Sequence, residues 1–197
     1  MFIYQIINFL LMIKKIAECV WKLSVDSNIY FLEKEKTVID TGPRAYRQEV
    51  ELWLSKVVDF SKVERVIFSH LHMDHIGNFD LFENARFFAS KEEIEDFKAK
   101  PLRTTLDPFI SGKLKKIKLE ELKDFDGIEV IKTPGHTKGS VCLFYKLKKI
   151  LFSGDTLFFN KQIGRLDLPT SVESEMQNSL NKLAELNFKI LAPGHDY

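Results

Sequence analysis

Hydrophobic and polar residues follow two alternating patterns along this chain, one typical of β-strands and one typical of α-helices. Short apolar runs such as VIFS and VCLFY indicate strands. In residues 44–58, Val50, Trp53, Leu54 and Val57 are spaced as on one face of a helix. Because strands and helices are mixed in this way, the pattern predicts an α/β or α+β layered domain.

The predicted elements cover most of the chain. Strands are predicted for residues 16–25, 28–40 with a turn at EKEK, 64–69, 85–90, around 114–119, 128–133, 140–147, 148–154 and 188–194. Helices are predicted for residues 44–58, 76–84, 91–100 and 171–187, the last with Ser171 as its N-cap and glutamates in its first turns. Prolines and a glycine interrupt residues 101–127, for which we expect loop and some helix before the strand.

The N-terminus is an apolar run, MFIYQIINFLLMI. It is too short to span a bilayer, and it lacks the basic start and cleavage site of a signal peptide. We treat residues 1–11 as an apolar extension and expect residues 12–197 to form one domain, a size that suits a single unit. A start of translation at Met12 is an alternative.

Composition excludes some partners. The net charge is +1 although 29% of the residues are charged, so no basic surplus marks a nucleic-acid or membrane surface. The two cysteines, Cys19 and Cys142, have no metal-ligand spacing and are interpreted as strand thiols in a reducing compartment, which favours a cytoplasmic location. Seventeen phenylalanines leave room for an apolar homodimer surface, and the oligomeric state stays open.

The stretch HLHMDHIG, residues 70–77, concentrates three of the five histidines of the chain. On an extended backbone His70 and His72 point to the same side, and Asp74 and His75 follow after a turn. Imidazole nitrogens and carboxylate oxygens suit Zn, Fe or Mn. The stretch therefore predicts part of a metal site.

Three further candidate ligands follow predicted strands. His136 in TPGHTKGS, Asp155 in FSGDTLF and His195 in LAPGHDY each have a glycine beside them, which permits close backbone approach. Loops at strand ends are where α/β scaffolds build sites. All five histidines thus lie at strand ends or motif turns and none in a helical pattern, so we expect them to converge.

These motifs resemble those of the metallo-β-lactamase-fold superfamily: HLHMDH at 70–75, GHTKGS at 135–140, SGDTL at 153–157 and GH at 194–195, with VIDTG at 38–42 as the second-strand motif. The resemblance implies a four-layer αββα sandwich and two divalent metal ions, zinc first, with iron or manganese as alternatives. It assigns His70, His72 and His136 to the first ion. It assigns Asp74, His75 and His195 to the second ion, with Asp155 bridging the two.

Details of the motifs narrow the choice within the superfamily. His72 stands where flavodiiron proteins have a glutamate, and Asp155 stands where many zinc β-lactamases have a cysteine. RNA-processing members carry large insertions or domains that this length does not hold. The segment SGDTLFFNKQIGRLDLPTS is similar to that of glyoxalase II and of the persulfide dioxygenases. Its Arg165 is interpreted either as fixing the loop through Asp167 or as meeting an anionic end of the substrate.

The resemblance implies a hydrolase in which a metal-bridged hydroxide attacks a thioester or ester. Asp74 is the candidate catalytic residue, because it can steer the proton of the hydroxide. Asp40, Thr137 and Asp196 are candidates for orienting imidazoles. Glyoxalase II has a C-terminal helical domain that supplies part of its glutathione site, whereas this chain extends two residues beyond His195.

Other functions stay open. A persulfide dioxygenase would use one iron on His70, His136 and Asp155, and a phosphodiesterase or a non-catalytic metal-binding protein is a further alternative. The expected partner is a small-molecule substrate, without nucleic acid or membrane. Candidates for an apolar acyl pocket are Phe109, Phe158, Phe159 and Leu166.

Overall fold

A computed structural model describes residues 12–196, in which eleven strands form two β-sheets. The apolar extension 1–11 and Tyr197 lie outside the described residues. The strands are β1 Ile13–Ala17, β2 Val20–Ser24, β3 Asn28–Leu32, β4 Thr37–Ile39, β5 Arg65–Ile67, β6 Arg86–Ala89, β7 Leu119–Glu121, β8 Ile128–Lys132, β9 Val141–Tyr145, β10 Ile150–Gly154 and β11 Ile190–Pro193.

The larger sheet has its strands in sequence order, β1 to β7. Strands β1 to β4 pair antiparallel through short turns, and β4 to β7 pair parallel. Parallel neighbours need a crossover, and the helices between these strands provide it. As a result the carboxyl ends of β4 and β5 lie at the same edge of the sheet.

The smaller sheet has the order β11-β10-β9-β8. Strand β10 pairs parallel with β11 and antiparallel with β9, which pairs antiparallel with β8. Strands β8, β10 and β11 therefore run in one direction, and their carboxyl ends also meet at one edge.

The helices lie between the strands of the first sheet and before the last strand of the second. They are α1 Arg47–Leu54, α2 Met73–Ile76, α3 Lys91–Ala99, α4 Pro101–Thr105, α5 Pro108–Leu114 and α6 Glu173–Ala184. Single 3-10 turns occupy Arg44–Tyr46, Phe60–Lys62, Phe79–Leu81 and Phe159–Lys161.

The buried hydrophobic residues of the described chain form three clusters, one for each interface of a four-layer sandwich. Because side chains alternate along a strand, Ile29 and Phe31 of β3 pack towards α1, α3 and α5, while Tyr30 and Leu32 face the second sheet. The third cluster packs the outer face of β9 and β10 against Leu183 of α6. The αββα sandwich that the family resemblance implies is thus present.

Some local predictions are wrong. The strand predicted for residues 16–25 is a hairpin of β1 and β2, with Cys19 in its turn at a φ of 57° rather than in a strand. Leu114 ends helix α5 instead of starting a strand, because it packs with the helices that cover the first sheet. Helix α6 begins after Val172, and the hydroxyl of Ser171 donates to the carbonyl of His136 rather than capping the helix.

No helix within residues 12–196 combines the length and the apolar character that crossing a membrane requires.

Replacing Phe152 by alanine tests the interface between the two sheets. Phe152 is buried there with its ring 5.1 Å from that of Tyr30. Removing so large a side chain leaves a cavity and should lower the free energy of unfolding by about 3–5 kcal/mol in urea titrations. Leu147→Ala is the matched control, since that side chain is 84% exposed and should cost less than about 0.5 kcal/mol. Equal losses in both variants would contradict this packing.

Candidate metal centre

Five carboxyl-terminal strand ends, from both sheets, bring the candidate ligands together at one edge of the sandwich. Asp40 follows β4, the histidine motif follows β5, and His136, Asp155 and His195 follow β8, β10 and β11. The two sheets are joined here by a backbone hydrogen bond of 3.0 Å from the amide of Val141 to the carbonyl of Ser69.

Two glycines let these loops approach each other. Gly154 has a φ of 47°, and a Cβ there would lie 2.8 Å from the side chain of Ser69. A Cβ at Gly194 would lie 2.2 Å from Oδ1 of Asp155. A side chain at either position would separate the loops that carry the ligands.

The first group of donors consists of His70, His72 and His136. Their ring centroids lie 4.6 to 4.7 Å apart, and Nδ1 of His72 lies 2.9 Å from Nε2 of His136. One nitrogen from each ring falls within 4.8 Å of the others. The geometry therefore gathers the three side chains that the resemblance assigned to one ion.

The second group consists of Asp74, His75 and His195, again with one ligand atom each within 4.8 Å of the others. Nε2 of His195 lies 3.3 Å from Oδ2 of Asp74. The expectation that no histidine lies in a helix is wrong for His75, which belongs to the single-turn helix α2. This turn is what separates Asp74 and His75 from the extended segment that carries His70 and His72.

Asp155 lies between the two groups. One of its oxygens is 3.5 Å from Nε2 of His136 and of His195, and the other is 3.2 Å from Nε2 of His75. Its position relative to both groups is the one that a bridging carboxylate requires.

Several atoms of this cluster fit a metal ion better than they fit each other. Nε2 of His70, Nε2 of His75 and Oδ1 of Asp155 are buried without a hydrogen bond of normal geometry. Leaving such groups unsatisfied is costly, and it is rare in folded proteins. Imidazole and carboxylate donors at these distances suit divalent ions of the zinc, iron or manganese kind. Ions held by the first and second groups would satisfy the nitrogens of His70 and His75, and either ion could satisfy the oxygen of Asp155.

The pKa values of the histidines shift in opposite directions in the two groups. Burial, together with neighbouring imidazoles, holds the pKa of His70 well below its usual value and lowers the pKa of His72 to about 3. At His195, burial acts the same way but is outweighed by hydrogen bonds to Asp155 and Asp74, which raise its pKa to about 9. Burial would raise the pKa of Asp74, yet His75 and His195 bring it to about 2.

Three of the five imidazoles, those of His75, His136 and His195, are also held through Nδ1. Nδ1 of His75 lies 2.9 Å from Oδ2 of Asp40, which also accepts from the hydroxyl of Ser69 at 2.8 Å. The other oxygen of Asp40, Oδ1, accepts from the amide of Ser69 at 2.8 Å. Nδ1 of His136 lies 2.8 Å from the backbone oxygen of Arg165, and Nδ1 of His195 lies 3.0 Å from that of Asp26. Such partners select the tautomer and fix the ring of a metal-binding histidine.

Other candidates act differently from what the sequence suggested. The hydroxyl of Thr137 bonds to Glu93 and Ser140, not to an imidazole. Asp196 accepts from Lys22, Ser24 and Asn28. These contacts tie the loop before the C-terminus to β2 and β3, which keeps His195 in place through its backbone.

Glu93 is a buried residue of the site region that sequence analysis did not identify. One of its oxygens accepts from the amide of Leu71 at 2.8 Å, and the other accepts from the hydroxyl of Thr137 at 2.7 Å. It therefore links the segment between His70 and His72 to the loop after His136.

A sequence signal did mark Glu93, but for another role. Ser90 and Glu93 form an S-x-x-E pattern, in which the glutamate is expected to cap its own helix. Ser90 does accept from the amide of Glu93 at 3.1 Å, whereas the glutamate side chain reaches the two loops instead.

A cleft of about 400 Å³ opens onto the cluster. Its apolar wall includes Met73, Leu106, Phe158, Ile163 and Leu168. Of the residues predicted to form an acyl pocket, Phe158 lines this cleft. Phe109 lies 56% exposed beside Arg44 and Lys113, where the two cations approach its ring.

Arg165 lines the cleft, and its guanidinium makes two hydrogen bonds, of 2.9 and 2.7 Å, to the carboxylate of Asp167. Both side chains are exposed. The geometry favours the first interpretation of this pair, a contact that fixes the loop, while the contribution of Arg165 to the cluster is its backbone oxygen.

The family follows from a comparison with known proteins. The family model described as "Metallo-beta-lactamase superfamily" matches residues 24–195, which include every strand end described above. This chain belongs to the metallo-β-lactamase superfamily. The family that the motifs resemble is thus confirmed.

Two relatives that this chain is similar to are named as hydrolases. A probable metallo-hydrolase of Methanocaldococcus jannaschii is 36% identical over 149 residues, which cover 68% of this chain and 69% of the relative. A hydroxyacylglutathione hydrolase of Francisella tularensis subsp. novicida is 28% identical over 141 residues, covering 69% of this chain. The match spans half the length of that second protein.

Solved structures show the same fold. A metallo-β-lactamase family protein of Thermus thermophilus has a TM-score of 0.70 at 24% identity, covering 93% of this chain and 75% of its own. The flavodiiron protein of Giardia intestinalis has a TM-score of 0.69 at 17% identity, covering 93% and 54%. At these identities the likeness is one of fold alone.

The contacts of Glu93 predict unequal effects of two substitutions. Glu93→Ala leaves the amide of Leu71 and the hydroxyl of Thr137 unpaired, which should cost about 2–3 kcal/mol in urea titrations. Glu93→Gln can still accept from Leu71 and can donate its amide to the hydroxyl of Thr137, so it should cost less. Equal losses in the two variants would contradict the role of Glu93 as a link.

The same carboxyl predicts a pH dependence. Burial raises the pKa of Glu93 from 4.5 to about 7, although hydrogen bonds from Thr137 and Leu71 oppose the shift. Between these values the unfolded chain loses the proton while the folded chain keeps it, so stability falls as the pH rises from 4.5 to 7 and then levels. Glutamine does not titrate. The stability of Glu93→Gln relative to the wild type should therefore rise across this window. A difference that stays constant with pH would show that the pKa of Glu93 is not raised in the folded protein.

Proposed function

We propose that this protein is a metal-dependent hydrolase of thioesters or esters that works with two divalent ions. The observation that carries the proposal is that seven donors form overlapping groups of three. Two of these groups match the two ligand sets that the resemblance implies, and Asp155 lies within 3.5 Å of nitrogens from both. Such a pair of sites suits attack by water on a carbonyl carbon, because one group can serve the nucleophile and the other the carbonyl oxygen.

The ions, when bound, would supply a hydroxide at neutral pH and polarise the carbonyl group. In the proposal, the residues of the chain orient the substrate and exclude bulk water from the reacting carbonyl. Asp74 is the ligand with the most exposed side chain in the second group, 29% exposed, and it lines the open cleft. In the proposed reaction its second oxygen accepts a proton from the attacking water.

The shape of the cleft supports a substrate with an apolar portion beside the reacting carbonyl. Leu106, Phe158 and Leu168 form a wall next to the ligands, and the ring of Phe158 lies 5.8 Å from that of His195. The kinship with hydroxyacylglutathione hydrolases favours a thioester, although the matched half of that relative does not establish a glutathione substrate.

The location and the domain organisation of this enzyme stay predictions. A cytoplasmic enzyme formed by one domain of residues 12–197 is consistent with the fold and the superfamily.

Removing His72 tests the metal site. His72→Ala takes one donor from the first group and should lower the bound metal, measured by elemental analysis, to about one ion per chain or less. Turnover of a generic thioester should fall by at least about 100-fold. Lys56→Ala, at an exposed position outside the cleft, should keep both values. Full metal content and turnover in His72→Ala would refute the assignment.

Metal content also separates the hydrolase from the dioxygenase alternative. The hydrolase requires close to two ions per chain, of zinc or of zinc with iron. A protein that holds about one iron on His70, His136 and Asp155 and consumes oxygen with a persulfide would instead be a dioxygenase. Elemental analysis of protein grown without a metal supplement, followed by oxygen uptake and thioester assays, decides between them.

A further inference from the structure

A second cavity, of about 370 Å³, lies next to the metal cleft and is lined by charged residues. Helices α3 and α4 form one side of it, and the segment before helix α6 forms the other. Its lining residues are Asp96, Ala99, Lys100, Arg103, Thr104, Lys138, Pro169, Thr170, Ser171 and Val172. We call it the cationic cavity, because it holds three cationic side chains and one carboxylate.

This local surplus stands out against the whole chain, whose net charge is only +1. Lys138 lies 3.6 Å from Asp96, which offsets one of the charges. The guanidinium of Arg103 donates to the backbone oxygen of Pro169 at 2.7 Å, a neutral partner that leaves its charge uncompensated. Lys100 adds a further cation, so an anion entering the cavity meets a net positive field.

The wall of the cavity is fixed to the metal-binding loop. The amide of Lys138 donates to the oxygen of Thr170 at 2.9 Å, and the hydroxyl of Ser171 donates to the oxygen of His136 at 2.7 Å. The amide of Val172 donates to the oxygen of Gly135 at 2.8 Å. The cavity is therefore held rigidly against the loop that presents His136.

Two segments separate the cationic cavity from the metal cleft. Leu168 lines the cleft while Pro169 and Thr170 line the cavity, and Leu106 lines the cleft while Thr104 lines the cavity. The hydroxyl of Thr170 lies 3.4 Å from Nε2 of His72. A molecule that lies across these short segments can occupy both spaces.

Leu106 shapes this boundary through its backbone. It has a φ of 61°, a left-handed conformation that costs energy for a residue with a side chain. The conformation ends helix α4 and turns the chain so that Leu106 faces the cleft while Arg103 and Thr104 face the cavity.

We infer that the cationic cavity is a subsite for an anionic tail, a carboxylate or a phosphate, of the small molecule whose carbonyl reacts at the metal cluster. This inference rests on the proposed hydrolase function and specifies its substrate class. Lys100, Lys138 and Arg103 bind the tail, while the apolar wall of the cleft contacts the portion next to the carbonyl.

Matched substrates test the subsite. Acetyl thioesters of 3-mercaptopropionate, of its carboxamide and of a phosphate-ended thiol differ mainly in the charge of the tail. The wild type should prefer the charged tails in kcat/KM, and the preferred tail identifies the anion. In Lys100→Gln and Lys138→Gln this preference should fall about five-fold each, as expected for exposed charge pairs, and added salt should reduce it. Lys56→Gln, which lines neither space, should retain it.

A binding measurement does not depend on turnover. Inorganic phosphate and acetate, titrated separately into the wild type, should shift the amide NMR signals of Lys138, Thr170 and Ser171, and the Lys100→Gln, Lys138→Gln double variant should lose the shifts. Shifts at these amides without hydrolysis of any thioester would support the subsite and reject the proposed chemistry. Thioester hydrolysis without preference for a charged tail would overturn the subsite and keep the hydrolase. Equal shifts in the wild type and the double variant would also overturn it.

Discussion

The rest of this structure depends on one constraint: five buried imidazoles and the buried carboxylate of Asp155 lie at one edge of the sandwich, beside the partly exposed carboxylate of Asp74. Buried ionisable groups are costly unless each is paired or bound. Here the carboxylates compensate His75 and His195, and Asp40 and two backbone oxygens hold the rings from behind. The buried atoms without a hydrogen bond of normal geometry belong to His70, His75 and Asp155, whose ligand atoms lie within 4.8 Å of one another, an arrangement that metal ions complete.

The fold makes this concentration possible because its strands end together. Parallel pairing places the ends of β4 and β5 side by side, and the second sheet does the same for β10 and β11. The packing between the sheets then sets the distance between the donors that follow β5 and the donors that follow the strands of the second sheet. Glu93 adds a support that is remote in sequence, since it holds the backbone at Leu71 and the side chain of Thr137 at once.

The proposed chemistry and the cationic cavity share one loop. In the segment from Gly164 to Val172, Gly164, Arg165 and Leu168 line the metal cleft, and the last four residues line the cationic cavity. Within this segment, the backbone oxygen of Arg165 orients the ring of His136, and the guanidinium of Arg165 donates hydrogen bonds to Asp167. If the cationic cavity binds the substrate as we infer, changes in this segment would alter both substrate recognition and the orientation of His136.

The sequence by itself determined the family, the layered fold and the seven clustered donors, because ligand motifs combine residue type with a spacing that few structures share. Glu93 was not identified, since the S-x-x-E pattern in which it stands indicates only a helix cap and reports local contacts. Tertiary structure decided the rest. The hairpin at Cys19, the role of Ser171 and the reach of Glu93 depend on packing between segments distant in sequence. The cationic cavity is likewise formed by Lys100, Lys138 and Thr170, residues that no periodicity connects and that only folding brings together.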